Sequence, residues 1–125
     1  MIIGIGNDLI EIERFKTVMR RRGDRFLERI FTAGERKFCE AKLNRLAHYA
    51  ARFAAKEAVL KSLGTGWSGG IHWTDVEVVP GRVASLAAKL AGLAAKVAKQ
   101  KRIKVVHLSL THTDRYASAM AVAEG

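Results

Sequence analysis

Four residues, widely spaced along the chain, are of the types that phosphate and metal chemistry uses: Asp8, Glu57, Lys61 and His112. Glu57 and Lys61 lie four apart in RFAAKEAVLKSLGTG, residues 52–66. A helix turning about 100° per residue puts them on one stripe with Ala50, Phe53, Ala54 and Leu60. A carboxylate among apolar neighbours is costly unless it is paired or holds a metal. The bland alternative is an ion pair on a half-exposed face, contributing about 0.3–0.5 kcal/mol. Asp8 follows GIG at what reads as the C-terminal end of a first strand, where it could leave the sheet or cap the next helix. Were Asp8 and Glu57 to converge, two carboxylates with water and phosphate oxygens would suit Mg²⁺. The glycines of Gly64-Thr65-Gly66 would let backbone N–H groups approach a phosphate. His112 stands at a strand end in SLTHT. It is either structural or, beside a carboxylate pair, a phosphate contact or proton carrier. Arg52 and Lys56 fall on another flank of the same helix and read as ordinary surface charges.

The elements that must position these residues follow from periodicity. MIIGIG predicts a short buried strand. From Ile12, Phe15, Val18 and Met19 share one face and arginines fill the other, up to a glycine stop at Gly23. DRFLERIF continues as a short helical piece, and Thr32 with Glu35 has capping-box spacing for the next helix. Residues 44–63 give the longest helical signal, rich in Ala, and Gly64 fits the left-handed position after it. GTGWSGG reads as a loop, and WTDVEVVP, residues 73–80, as a strand that stops at the only proline. Residues 83–100 carry Leu86, Leu90, Leu93 and Val97 at helical spacing, with Gly92 as the weak point. KVVHLSLTHTDRYASAMAVA predicts two strands about a turn near Thr113, Asp114 and Arg115, with Val106, Leu108 and Leu110 on one face.

Composition bounds the function. The 125 residues are the usual size of one domain with one core, and about half of them are apolar, which excludes a disordered tail. No apolar run approaches the roughly 18–20 residues of a membrane span, and the N-terminus lacks the pattern of a secretory signal. The lone Cys39 cannot form an internal disulfide and reads as a buried, reduced filler in a cytoplasmic protein. A formal net charge of +10 predicts attraction to an acidic partner. Its densest clusters are Arg14, Lys16, Arg20, Arg21, Arg22, Arg25 and Arg29, then Lys96, Lys99, Lys101, Arg102 and Lys104; either could be only a solvated face. A small basic nucleic-acid-binding domain would explain the charge but not carboxylates and glycines at these spacings. Trp67 and Trp73 fit core or interface packing better than stacking on bases.

Three blocks occurring in order carry a resemblance. GIGNDLIEIERF, RFAAKEAVLKSLGTG, and HLSLTHT followed by YASAMAV resemble the motifs of the holo-[acyl carrier protein] synthases, the short single-domain 4′-phosphopantetheinyl transferases. The match covers nearly the whole chain, roughly residues 81–103 excepted. It implies one domain over residues 1–125 of α+β class: a small antiparallel sheet packed on a long central helix, 4′-phosphopantetheinyl transferase-like and trimer-forming. It implies transfer of 4′-phosphopantetheine from coenzyme A to a serine of apo-acyl carrier protein, leaving adenosine 3′,5′-bisphosphate. By motif, Asp8 and Glu57 would hold Mg²⁺ (Mn²⁺ is not distinguished) with the coenzyme diphosphate, and Lys61 would lie by the phosphates. His112 and Thr113, with Gly64, Thr65 and Gly66, would contact the coenzyme. The sites would lie between subunits of a homotrimer, so Asp8 and Glu57 need not meet within one chain. Mg²⁺ and Lys61 would stabilise charge on the phosphoryl oxygens, with Glu57 or a metal-bound water as base. Arg14, Arg21, Arg25, Arg29 and Arg45 would dock the acidic carrier. A module that only binds the carrier would not need Asp8, Glu57 and Lys61, and neither nucleic acid nor membrane is an expected partner.

Overall fold

A long helix lies across one face of an antiparallel sheet in the computed structural model, which describes residues 1–67, 69–82 and 85–125. The chain runs β1 (Ile2–Glu11), α1 (Ile12–Ile30), α2 (Ala33–Glu40), α3 (Arg45–Leu63), a 3₁₀ turn (Trp73–Asp75), β2 (Val76–Pro80), β3 (Leu86–Leu90), α4 (Gly92–Gln100), β4 (Val105–His112) and β5 (Tyr116–Glu124). Strand order is β1-β5-β4-β3-β2, antiparallel at each pairing. This is the expected α+β arrangement, with α3 at its centre.

Small residues let α3 sit close to the sheet. A Cβ at Gly4 would fall 2.0 Å from the Ser62 carbonyl oxygen, and one at Gly6 2.0 Å from that of Ala58. Ala117, Ala119, Ala121 and Ala123 of β5 are buried, as are Ala54, Ala55 and Ala58 of α3. The other side of α3 packs on Phe15, Ile30 and Phe31. A helix covered on both sides leaves little flank for surface charge in its middle turns. Arg52 and Lys56 are accordingly buried, against expectation. Lys56 Nζ lies 2.8 Å from Glu35 Oε1, with both side chains fully buried. It also donates to the carbonyls of Trp73 and Val76, while Glu35 Oε2 accepts from Val78 N at 2.8 Å. This pair binds α2, α3 and β2 together. Its acid belongs to the expected capping box: Thr32 N donates to Glu35 Oε1 and Glu35 N to Thr32 Oγ1.

Other boundaries differ for identifiable reasons. β1 extends to Glu11 and is not wholly buried. Its glycines face α3, whereas Ile5 and Leu9 point away and are exposed. Met120 of β5, paired with Asn7, shares that outer face. α1 is broken at Gly23 (φ 68°, ψ −155°), as the glycine stop predicts. The strand expected over 73–80 begins as the 3₁₀ turn, where Asp75 accepts from His72 N. The single helix expected over 83–100 is instead strand β3 and helix α4, with residues 83 and 84 outside the described residues. A spacing of four, as between Leu86 and Leu90, satisfies a period of two as well as one of 3.6. Gly92, at φ 53°, makes the break and leaves room for the Asp75 carboxylate. Cys39 is buried, as expected, and burial pushes its thiol up to about 12.

Candidate active site

Asp8 and Lys61 meet where β1 crosses the C-terminal half of α3. Asp8 lies inside β1 rather than at its end, on the side that faces the helix, and the N-cap of α1 is Glu11. Asp8 is therefore not the cap. Gly6, two residues earlier, clears the way for the Lys61 stem, since a Cβ there would come within 2.9 Å of Lys61 Cβ. Lys61 Nζ donates to the Asn7 carbonyl at 2.9 Å and to Asp8 Oδ1 at 3.4 Å. The ammonium thus reaches across to β1, which is not the simple Glu57–Lys61 pair along the helix.

Glu57 projects one turn before Lys61 and is partly buried. Burial pushes its pKa up. The Trp67 indole opposes that rise, its buried Nε1 near the carboxylate but without a well-formed hydrogen bond among the described residues. The negative charge of Asp8 adds to the rise and the Lys61 ammonium lowers it. Asp8, Glu57 and Lys61 therefore share one electrostatic field. A cation between the carboxylates would relieve both the burial and the repulsion. Among the described residues no group of three or more His, Cys, Asp or Glu forms a complete cage. Two carboxylates fit a hard ion whose remaining positions go to water and phosphate.

His112 stands elsewhere. Its ring lies 5.5 Å from that of His48, which precedes Lys61 by more than three turns, about 20 Å along α3. One chain does not bring His112 to the other three residues. It borders a cavity of about 460 Å³ with Phe38, His48, Arg52, Pro80 and Leu110. The Arg52 guanidinium lies over the Phe38 ring at 3.9 Å, and its buried Nε has no hydrogen-bond partner among the described residues. His48 is held below its ordinary pKa by burial first, then by Arg52, His112 and Lys42. Sequence reading missed Arg52 as a pocket residue. The available signal was a guanidinium set between the alanines Ala50, Ala51, Ala54 and Ala55.

The glycine turn behaves differently from expectation. Gly64 takes the left-handed conformation (φ 77°, ψ 17°) and ends α3. Its N–H donates to the carbonyls of Leu60 and Lys61, and that of Thr65 to Leu60. Those two amides are turned into the helix and engaged by its last carbonyls. Gly66 is also left-handed, at φ 57°, and its carbonyl accepts from the Thr65 hydroxyl. The Thr113 hydroxyl accepts from Arg115 N and Tyr116 N, which ties down the β4–β5 turn. Arg14, Arg21, Arg25 and Arg29 are exposed along α1. Arg45 pairs with Glu40 at 3.0 Å and borders a groove of about 840 Å³ with Lys16, Arg20 and Arg36.

Known proteins are similar to this chain in sequence and fold. Residues 4–121 match the model of the 4′-phosphopantetheinyl transferase superfamily. A holo-[acyl-carrier-protein] synthase of Solibacter usitatus is 44% identical over 124 residues, covering 99% of each chain. The crystal structure of holo-[acyl-carrier-protein] synthase from Neisseria meningitidis superposes with a TM-score of 0.89 at 28% identity, over 100% of each chain. That of a holo-(acyl-carrier-protein) synthase from Bacillus anthracis in complex with CoA (3′,5′-ADP) has a TM-score of 0.79 at 32% identity, over 100% of this chain and 98% of that one.

Proposed function

The chain belongs to the 4′-phosphopantetheinyl transferase superfamily, and from that premise we propose that it is a holo-[acyl carrier protein] synthase. It transfers 4′-phosphopantetheine from coenzyme A to a serine hydroxyl of apo-acyl carrier protein and releases adenosine 3′,5′-bisphosphate. The observation that carries this reading is the Lys61–Asp8 contact where β1 crosses α3, one helical turn from Glu57, whose carboxyl responds to both charges.

The serine oxygen attacks the phosphorus bearing pantetheine, and the bond from that phosphorus to the oxygen of the adenosine-side phosphate breaks. Asp8 and Glu57 would hold Mg²⁺ at the diphosphate, where the ion would neutralise charge. Lys61 stabilises the charge that builds on the phosphoryl oxygens. Glu57, with its raised pKa, is placed to take the serine proton directly or through water. The cavity between Arg52, His48 and His112 suits the adenosine end, which is flat and carries a phosphate.

His112 lies far from Asp8 and Glu57 along α3, so a complete site needs a second subunit to bring its own His112 to them. The exposed Ile5, Leu9 and Met120 on the outer sheet face support such an assembly, and a homotrimer closes it. The exposed arginines of α1 suit an acidic carrier protein. Among the described residues no helix is long and apolar enough to cross a membrane. Incubation with apo-acyl carrier protein, coenzyme A and Mg²⁺, followed by mass spectrometry of the carrier, tests the reading. The carrier gains the mass of phosphopantetheine; no gain with either Mg²⁺ or Mn²⁺ would refute the activity.

A further inference from the structure

The end of α3 has the wrong sign for its proposed neighbour. A helix C-terminus carries partial negative charge on its unpaired carbonyls. The motif resemblance sets Gly64, Thr65 and Gly66 against the coenzyme, with Lys61, one turn earlier, by its phosphates, and this inference rests on that coenzyme reading. The amides of Gly64 and Thr65 pair the carbonyls of Leu60 and Lys61, and the Leu63 carbonyl takes neither of them. A side chain from a distant element reaches the same place. Lys101, the C-cap of α4, donates its ammonium to the Leu63 carbonyl in a part-buried contact. A Cβ at Gly64 would lie 3.0 Å from Lys101 Nζ. The glycine therefore admits the ammonium as well as the left-handed backbone. Lys61 turns its ammonium toward β1 on the strand side of the last turn.

We propose that Lys101 is a positioning residue for the anionic donor, cancelling the negative end of α3 so that a diphosphate can sit beside the Gly64–Gly66 turn. Its action goes through the helix terminus and not through the reacting phosphorus. Lys101→Gln removes the charge and keeps a side-chain donor, one atom shorter in reach than the ammonium. Lys101→Arg keeps the charge. Lys99→Met, at an exposed position on α4 that borders a groove with Ala88, Leu90 and Lys104, removes one charge and leaves the Lys101–Leu63 contact in place.

Steady-state transfer and calorimetric titration with coenzyme A, on the full chain, separate these roles. For Lys101→Gln, KM and Kd for coenzyme A rise about five-fold with kcat unchanged, the size of a charge effect at a helix terminus. Lys101→Arg stays near wild type, and Lys99→Met does not move either constant. Unchanged coenzyme affinity in Lys101→Gln overturns the proposal and leaves Lys101 as a helix cap. An equal loss in Lys99→Met overturns it too, in favour of net charge alone. If the wild-type chain binds coenzyme A without transferring from it, the enzymatic reading falls while the affinities still decide the role of Lys101. If it does not bind coenzyme A at all, both fall.

Discussion

Glu57 is held against its own preference for water, and that makes its contribution to stability separable from its contribution to chemistry. Its folded pKa lies above the ordinary 4.5, with burial the main cause. The native state therefore keeps the proton to higher pH than the unfolded chain. By linkage, stability is greatest below the ordinary value and falls as pH rises through the folded one. Glu57→Gln removes this slope, which urea melts across that pH window will show. At neutral pH without metal the variant melts no lower than wild type, while transfer drops at least about 100-fold, the usual weight of a general base. Adding Mg²⁺ raises the Tm of wild type and leaves that of Glu57→Gln unchanged. A variant that simply unfolds would mark Glu57 as structural.

Between elements, two devices hold α3 in place, and each has a characteristic failure. The first is the buried Lys56–Glu35 pair. Lys56→Ala strands the Glu35 carboxylate without its cation and costs about 3–5 kcal/mol, readable from the urea midpoint. Lys56→Met with Glu35→Gln recovers part of that loss, because no bare charge remains. The second device is the pair of glycines where β1 passes over the helix. Gly6→Ala puts a methyl group 2.0 Å from the Ala58 carbonyl and presses on the Lys61 stem. It costs about 3 kcal/mol and reduces transfer even in the molecules that stay folded. These devices were unequally legible beforehand. The capping box could be read from Thr32 and Glu35, three residues apart. That the same Glu35 meets Lys56 from another element could not, because no local period links them. Residues 86–100 failed differently: leucines spaced by four are compatible with either element, and the pairing of β3 with β2 and β4 decided.

For the whole molecule, the outer sheet face and the two ends of α3 raise the same question of assembly. A monomer exposing Ile5, Leu9 and Met120 together leaves apolar area in water that self-association would cover. If the proposed assembly forms through this face, Leu9→Glu yields a monomer by light scattering and loses transfer, although its side chain points to the opposite face of β1 from Asp8. A variant with the same oligomeric state as wild type, or a monomer that remains active, would count against the proposed sites shared between subunits. Taken alone, the sequence determined what is set by near neighbours along the chain: the helix ending at Gly64, the turn between β4 and β5, the order of elements up to Gly64, and the motif blocks that carry the resemblance. The tertiary structure decided which charges are buried, which amides are engaged, and that Lys61 reaches Asp8 while His112 keeps to the other end of the helix. Local conformation depends on residues a few positions apart. Burial and electrostatic fields depend on every element that packs around a group, and only the folded chain brings those together.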